Sequence, residues 1–222
     1  MHARPLCPHC LRPVRACLCH CVCRVHSDVQ LLVLQHPLEV GHAKNTARLL
    51  QLCVDGSRLE VGEVFAPADL QRWLYAPWPR SSMETVVRPV LLYPPTPADP
   101  QLPVMPPPTL PPEWLAQPAQ LRLVVIDGTW RKSRKMLYVN PLLQELPRLS
   151  LRDVPQGRYA IRKAHAPNQL SSFEAAALAL AQLQDWNADT AAWQALMHSF
   201  DAAMALHQQL QSTRGHRTST QH

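Results

Sequence analysis

The run Leu121-Arg122-Leu123-Val124-Val125-Ile126, followed by Asp127-Gly128, constrains the fold more than any other stretch of the sequence. It is apolar at nearly every position, so a strand built from it must be covered on both faces. That is the condition of a parallel sheet sandwiched between helices. Similar short runs at 29–35, 59–63 and 86–93 predict further strands, and 149–151 and 159–161 predict two more. Helical periodicity is expected over about 45–54, from Thr129 to the Asn140-Pro141 break, over 175–186 and over 190–210. Ser171-x-x-Glu174 has the spacing of a capping box at the start of the third of these helices. Strands alternating with helices give an α/β domain with a largely parallel sheet. The length of 222 residues with 46% hydrophobic content fits one substantial core.

Two segments stand apart. Residues 94–112 contain ten prolines and cannot form helix or central strand, so an extended surface insert is expected there. Residues 1–25 hold six of the seven cysteines and no acidic residue. Cys7-x-x-Cys10 followed by Cys17-x-Cys19 presents two thiolate pairs on two tight turns, the arrangement a structural zinc ion requires. Metal binding would supply folding energy that so short a segment lacks. Cys21 and Cys23 continue the alternation and leave the ligand choice open; Cys53 reads as a small buried hydrophobe. The tail at 212–222 is polar and expected to be disordered.

No apolar leader or membrane-length run is present, so a cytoplasmic location is expected, where thiols stay reduced. The net charge of +6 suits an anionic partner and equally a solubility charge. Asp127, at a strand end before a helix, reads alone as an N-cap. It also lies where ligands bind in open α/β sheets. Arg131, Arg134, Lys135 and Tyr138 recur at helical spacing just beyond it, a basic stripe able to hold phosphates. Arg158, Arg162, Lys163 and His165 form a second basic group, and His36, Lys44 and Arg48 a third.

These blocks resemble one family. Asp127-Gly128-Thr129-Trp130 with Arg131 and Lys135-Met136 looks like the signature of the DTW-domain tRNA-uridine aminocarboxypropyltransferases. So, in order, do the cysteine pairs with Pro13, His36-Pro37-x-Glu39, Asn45-Thr46-x-Arg48-Leu49, Leu91-Leu92-Tyr93-Pro94, and Arg162-Lys163-Ala164 leading to Leu170-Ser171-Ser172-x-Glu174. The likeness spans about residues 7–185; Cys21, Cys23 and the proline-rich insert depart from it. It implies a SPOUT-like sheet closed by a C-terminal trefoil knot over 26–211, with a zinc module at 1–25. It further implies transfer of the 3-amino-3-carboxypropyl group of S-adenosylmethionine to a uridine ring nitrogen in tRNA. Asp127 would be the base. Leu92, Tyr93, Pro94, Gly128, Leu170, Ser171 and Ser172 would cradle the cofactor. His36, Lys44, Arg48, Arg131, Arg134, Lys135, Arg162 and Lys163 would face tRNA, with Arg12, Arg15 and Arg24 extending that surface. Cys7, Cys10, Cys17 and Cys19 would hold zinc. No obligate protein partner is evident. A SPOUT-like RNA methyltransferase and a non-enzymatic zinc-containing RNA-binding protein are the competing expectations.

Overall fold

The structure is a computed structural model describing residues 5–42, 45–78, 86–95, 97, 99–152 and 170–218. Its strands are β1 (Gln30–Gln35), β2 (Arg58–Val61), β3 (Arg88–Leu92), β4 (Leu121–Asp127) and β5 (Arg148–Leu149). They form one sheet in the order β2-β1-β4-β3-β5, and every pairing is parallel. The helices are α1 (Ala47–Cys53), α2 (Pro67–Tyr75), α3 (Pro112–Leu115), α4 (Trp130–Val139), α5 (Pro141–Gln144), α6 (Ser172–Leu183) and α7 (Ala191–Thr218).

The central strands are buried on both sides, as their composition requires. Leu31, Val33, Leu123 and Val125 face a cluster with Leu49, Leu50, Phe173, Leu180 and Phe200 of α1, α6 and α7. Leu32, Leu34, Val124 and Ile126 face Leu70, Leu74, Met136 and Leu137 of α2 and α4. This two-residue alternation assigns Gln35 and Asp127, the last residues of β1 and β4, to the α1/α6 side. They are also register partners. After β1 the chain crosses the α1/α6 face to β2, and after β4 it crosses the opposite face to β5. The sheet therefore changes winding direction between β1 and β4, where such folds open a crevice at their carboxyl ends.

Several elements depart from expectation. Helix α2 was not anticipated; its signals are Pro67 at the first helical position, Asp69 in the first turn and Leu70 with Leu74 four residues apart. It also accounts for Arg122, the one basic residue in β4, which is fully buried. The Arg122 guanidinium donates to carbonyls at the end of α2, Trp73 O at 2.6 Å and its C-cap Ala76 O at 2.9 Å, and to Gln30 Oε1 at 2.8 Å. It lies 4.0 Å from the Trp78 ring centroid, and burial pushes its pKa down to about 9. Helix α6 opens with the complete Ser171–Glu174 capping box. Helix α7 continues to Thr218, so the segment expected to be disordered from Ser212 begins inside a helix. The expected strand at 159–161 lies outside the described residues.

The proline-rich insert carries no strand among its described residues, and α3 starts only at Pro112. It is nonetheless tied down. Arg134 donates to Pro97 O at 2.8 Å and to Leu102 O at 3.3 Å, and pairs with Asp99 at 3.4 Å. The cysteine-rich segment likewise joins the body: Cys10, Leu18, Cys21 and Val25 are buried in the same cluster as α1, α6 and α7.

Candidate active site and cysteine cluster

Asp127 is buried, and both carboxylate oxygens are engaged. Gln35 Nε2 donates to Oδ2 at 2.9 Å, Asn45 Nδ2 donates to the same oxygen at 2.6 Å, and Ser172 Oγ donates to Oδ1 at 2.6 Å. Three elements thus meet on one carboxylate: the end of β1, the entry to α1 and the first turn of α6. The N-terminus of α6 adds a favourable dipole for negative charge. Asp127 does not cap the helix that follows it, since the N-cap of α4 is Thr129. A carboxylate offers about four acceptor sites, so three donors fix its plane and leave capacity for one more contact.

Asn45 is itself oriented. Its Oδ1 accepts from Ala47 N at 3.1 Å and Arg48 N at 3.4 Å, the free amides at the start of α1, which turns Nδ2 toward Asp127. Gln35 and Asn45 were not among the expected site residues. A polar side chain closing an apolar strand was the available signal for Gln35, and Asn45 stood within the Asn45-Thr46-x-Arg48-Leu49 motif.

Gly128 has no unusual backbone angle; its need is close approach. A Cβ there would lie 3.2 Å from Lys132 Cβ and 3.6 Å from His36 Cβ. Trp130 is 57% exposed beside the site. Its ring meets Tyr93 edge-on, at 6.0 Å between centroids. Tyr93 is buried, with its hydroxyl 3.3 Å from Ser133 Oγ and Arg148 5.3 Å from its ring. Leu92 and Pro94 flank it at the carboxyl end of β3, next to β4. Leu170 precedes α6 and is half-buried. Ser171 is engaged in the helix cap: its hydroxyl oxygen accepts from Glu174 N and its N–H donates to Glu174 Oε2. Of the expected cofactor residues, Ser172 is the one that touches Asp127.

The basic residues divide sharply. His36 is buried, accepting Leu38 N at Nδ1 and meeting Glu63 with Nε2 at 3.0 Å, so it is a structural residue rather than a surface contact. Arg134 is spent on the proline-rich insert. Arg48 donates to His9 O at 2.6 Å, bridging α1 to the cysteine segment. Lys135 pairs with Glu63 at 2.9 Å yet is half exposed, and Lys132 pairs with Glu39 at 2.8 Å. Lys135 and His36 together hold the Glu63 carboxyl below its ordinary value. Arg131 and Arg15 are exposed, and Arg24 pairs loosely with Asp55 at 3.5 Å. Lys44, Arg158, Arg162, Lys163 and His165 lie outside the described residues.

The sulfur atoms of Cys7, Cys10, Cys17 and Cys19 lie within 4.8 Å of one another. Cys7 and Cys19 are 3.6 Å apart, and Cys10 and Cys17 3.7 Å. A zinc ion with bonds of about 2.3 Å needs tetrahedral sulfurs about 3.8 Å apart, so the donor set fits. Backbone amides of Cys10 and His9 pull the Cys7 thiol down to about 6, while desolvation and hydrogen bonds to Cys17 and Cys7 push Cys19 up to about 12. Four cysteine sulfurs at this spacing could hold a metal ion. Cys21 and Cys23 fall outside the group; the Cys23 N–H donates to Ser199 Oγ at 2.9 Å.

A family model described as the DTW domain matches residues 4–208. A Drosophila melanogaster protein named tRNA-uridine aminocarboxypropyltransferase 2 is 32% identical over 82% of this chain and 67% of its own length. The Macaca fascicularis protein of the same name is 27% identical over 83% of this chain and 58% of its own length. An Arabidopsis thaliana protein named tRNA-uridine aminocarboxypropyltransferase A is 28% identical over 61% of this chain and 51% of its own length. The chain therefore spans between about half and two thirds of these relatives. No solved structure matches it.

Proposed function

Because the chain belongs to the DTW-domain family, we propose that it is a tRNA-uridine aminocarboxypropyltransferase acting at the crevice between β1 and β4. The single observation that carries the assignment to this crevice is the buried Asp127 carboxylate, held by Gln35, Asn45 and Ser172 at the switch point of the sheet. S-adenosylmethionine would be the donor and a tRNA uridine the acceptor. The uracil ring nitrogen forms a bond to the carbon that joins the 3-amino-3-carboxypropyl group to sulfur. That carbon–sulfur bond breaks, and its electron pair stays with sulfur in the departing methylthioadenosine.

Uracil's ring N–H is a weak nucleophile while protonated, and a positioned base contributes about 100- to 10,000-fold. Asp127 is assigned that role. Its three donors hold the carboxylate in one plane, and the remaining acceptor capacity is the place for the uracil proton. Leu92, Tyr93, Pro94, Gly128, Leu170 and Ser172 are proposed to line the donor's site, with Ser171 behind them as the helix cap. A C-terminal trefoil knot would complete that site, as the family resemblance implies. Arg131 and Lys135, with Arg162 and Lys163, are the proposed phosphate contacts. Zinc at Cys7, Cys10, Cys17 and Cys19 would be structural: four protein ligands fill a tetrahedral shell and leave no catalytic position. The division into a zinc module at 1–25 and a catalytic domain at 26–211 belongs to the same proposal. Among the described residues no helix is long and apolar enough to cross a membrane, which is compatible with work on tRNA in the cytoplasm.

The test is the identity of the small-molecule product when the protein is incubated with S-adenosylmethionine and tRNA. Methylthioadenosine supports the proposal. S-adenosylhomocysteine would instead mean methyl transfer, and no product at all would mean a binding protein.

A further inference from the structure

The cysteine segment and the Asp127 carboxylate are joined by an unbroken chain of short contacts. In the turn between the two thiolate pairs, Arg12 accepts Cys7 N at its carbonyl, 2.7 Å away. Its guanidinium leaves the segment and donates to Asn45 O at 3.0 Å and His42 O at 3.4 Å. Arg48 reaches back from α1 to His9 O, in the turn between Cys7 and Cys10. Asn45 is consequently held at its carbonyl by Arg12, at its N–H by His42 O, and at Oδ1 by the first amides of α1. Only Nδ2 remains, and it donates to Asp127 Oδ2.

We propose that Arg12 is a positioning residue: the cysteine segment acts through Arg12 and Asn45 to set the plane of the Asp127 carboxylate. This rests on the reading of Asp127 as the reacting group. It also gives the segment a task besides touching RNA, and it removes Arg12 from the expected tRNA surface. Arg12's guanidinium points inward to two backbone carbonyls, where a charged donor is worth more than a neutral one.

The test uses the full, metal-loaded chain with Arg12→Ala, Asn45→Ala and the double variant. The first readout is the side-chain amide signals of Asn45 in a proton–nitrogen NMR spectrum, assigned by their loss in Asn45→Ala. The proposal expects them to move in Arg12→Ala while metal content stays at one ion per chain. The second readout is turnover. A fall of about tenfold or more is expected in Arg12→Ala, with tRNA half-saturation unchanged. The double variant should be no slower than Asn45→Ala, because the two residues act in series. Should Arg12→Ala not fold, Arg12→Lys, which keeps the charge and most of the stem, is measured in its place with the same direction expected.

Unmoved Asn45 signals overturn the proposal. So do additive losses in the double variant, or a weaker tRNA half-saturation at unchanged turnover, which would make Arg12 a phosphate contact. The NMR arm is read without tRNA or donor. A protein that turns nothing over thus defeats the proposed reaction separately from the positioning of Asn45.

Discussion

Replacing Asp127 separates the carboxylate's structural duty from its chemical one. In Asp127→Ala, Gln35 Nε2, Asn45 Nδ2 and Ser172 Oγ all lose their acceptor at a buried point. Each stranded donor costs about 1–3 kcal/mol, so a destabilisation of about 3 kcal/mol or more is expected. Asp127→Asn is different because of how the donors are distributed. Both amide donors converge on Oδ2, which the new side-chain carbonyl can replace. The single hydroxyl faces Oδ1, where the new NH2 would sit. The Ser172 hydroxyl can rotate and accept from it. Two charge-assisted bonds become neutral, but a buried charge is also removed, leaving a net cost of about 1 kcal/mol. Activity should nonetheless fall about 100- to 10,000-fold, since the base is gone. Urea denaturation and the rate of methylthioadenosine release measure the two effects independently. Equal stabilities for Ala and Asn would refute the energetics of the network, and an Asn variant with full turnover would refute the base.

Chelator treatment should release the zinc proposed for the Cys7–Cys19 cluster, one ion per chain, and lower the thermal midpoint steeply, because structural zinc contributes roughly 10 kcal/mol or more to segments of this kind. Acid should promote release, since protons compete for the four thiolates; a midpoint insensitive to chelator would count against the site. Glu63→Gln should destabilise the protein at neutral pH, with the difference from wild type shrinking in acid. The folded carboxyl is held below its ordinary 4.5 by Lys135 and His36. Its contribution is therefore present above about that value and lost as pH falls through the lower folded one. A difference that persists unchanged in acid, followed by circular dichroism, would contradict this. Arg131→Glu should weaken tRNA binding several-fold at low salt and less at high salt, as expected for a phosphate contact. Arg134→Ala should chiefly loosen the proline-rich insert, detected by limited proteolysis, with little effect on affinity.

How far the sequence foretold this site depended on whether the relevant signal was local. Apolar runs located β1, β3 and β4 within a residue or two, and the Ser171–Glu174 spacing located the start of α6, because both patterns are complete within a few residues. Position at a strand end was enough to single out Asp127, but not to exclude an N-cap. The exclusion came from strand parity, which turns the side chain toward α1 and α6, and from Thr129 taking the cap of α4. The basic residues were the hardest to read. Arg134, Arg48 and His36 looked like surface cations on a helix or loop, and each is consumed by a partner far away in sequence: the insert at 97–102, His9 and Glu63. Arg122 carried the opposite lesson, since only an unanticipated helix, α2, supplies the carbonyls that let a charge sit inside a parallel strand.

Whether Asp127 serves aminocarboxypropyl transfer to tRNA can be read by following the donor's carbons. With S-adenosylmethionine labelled at the carboxyl carbon, label should appear in the tRNA, confined to a modified uridine and lost in Asp127→Asn. With label on the methyl group, none should appear in the tRNA and all in methylthioadenosine. Methyl label in the tRNA, or carboxyl label undiminished in Asp127→Asn, would contradict that role.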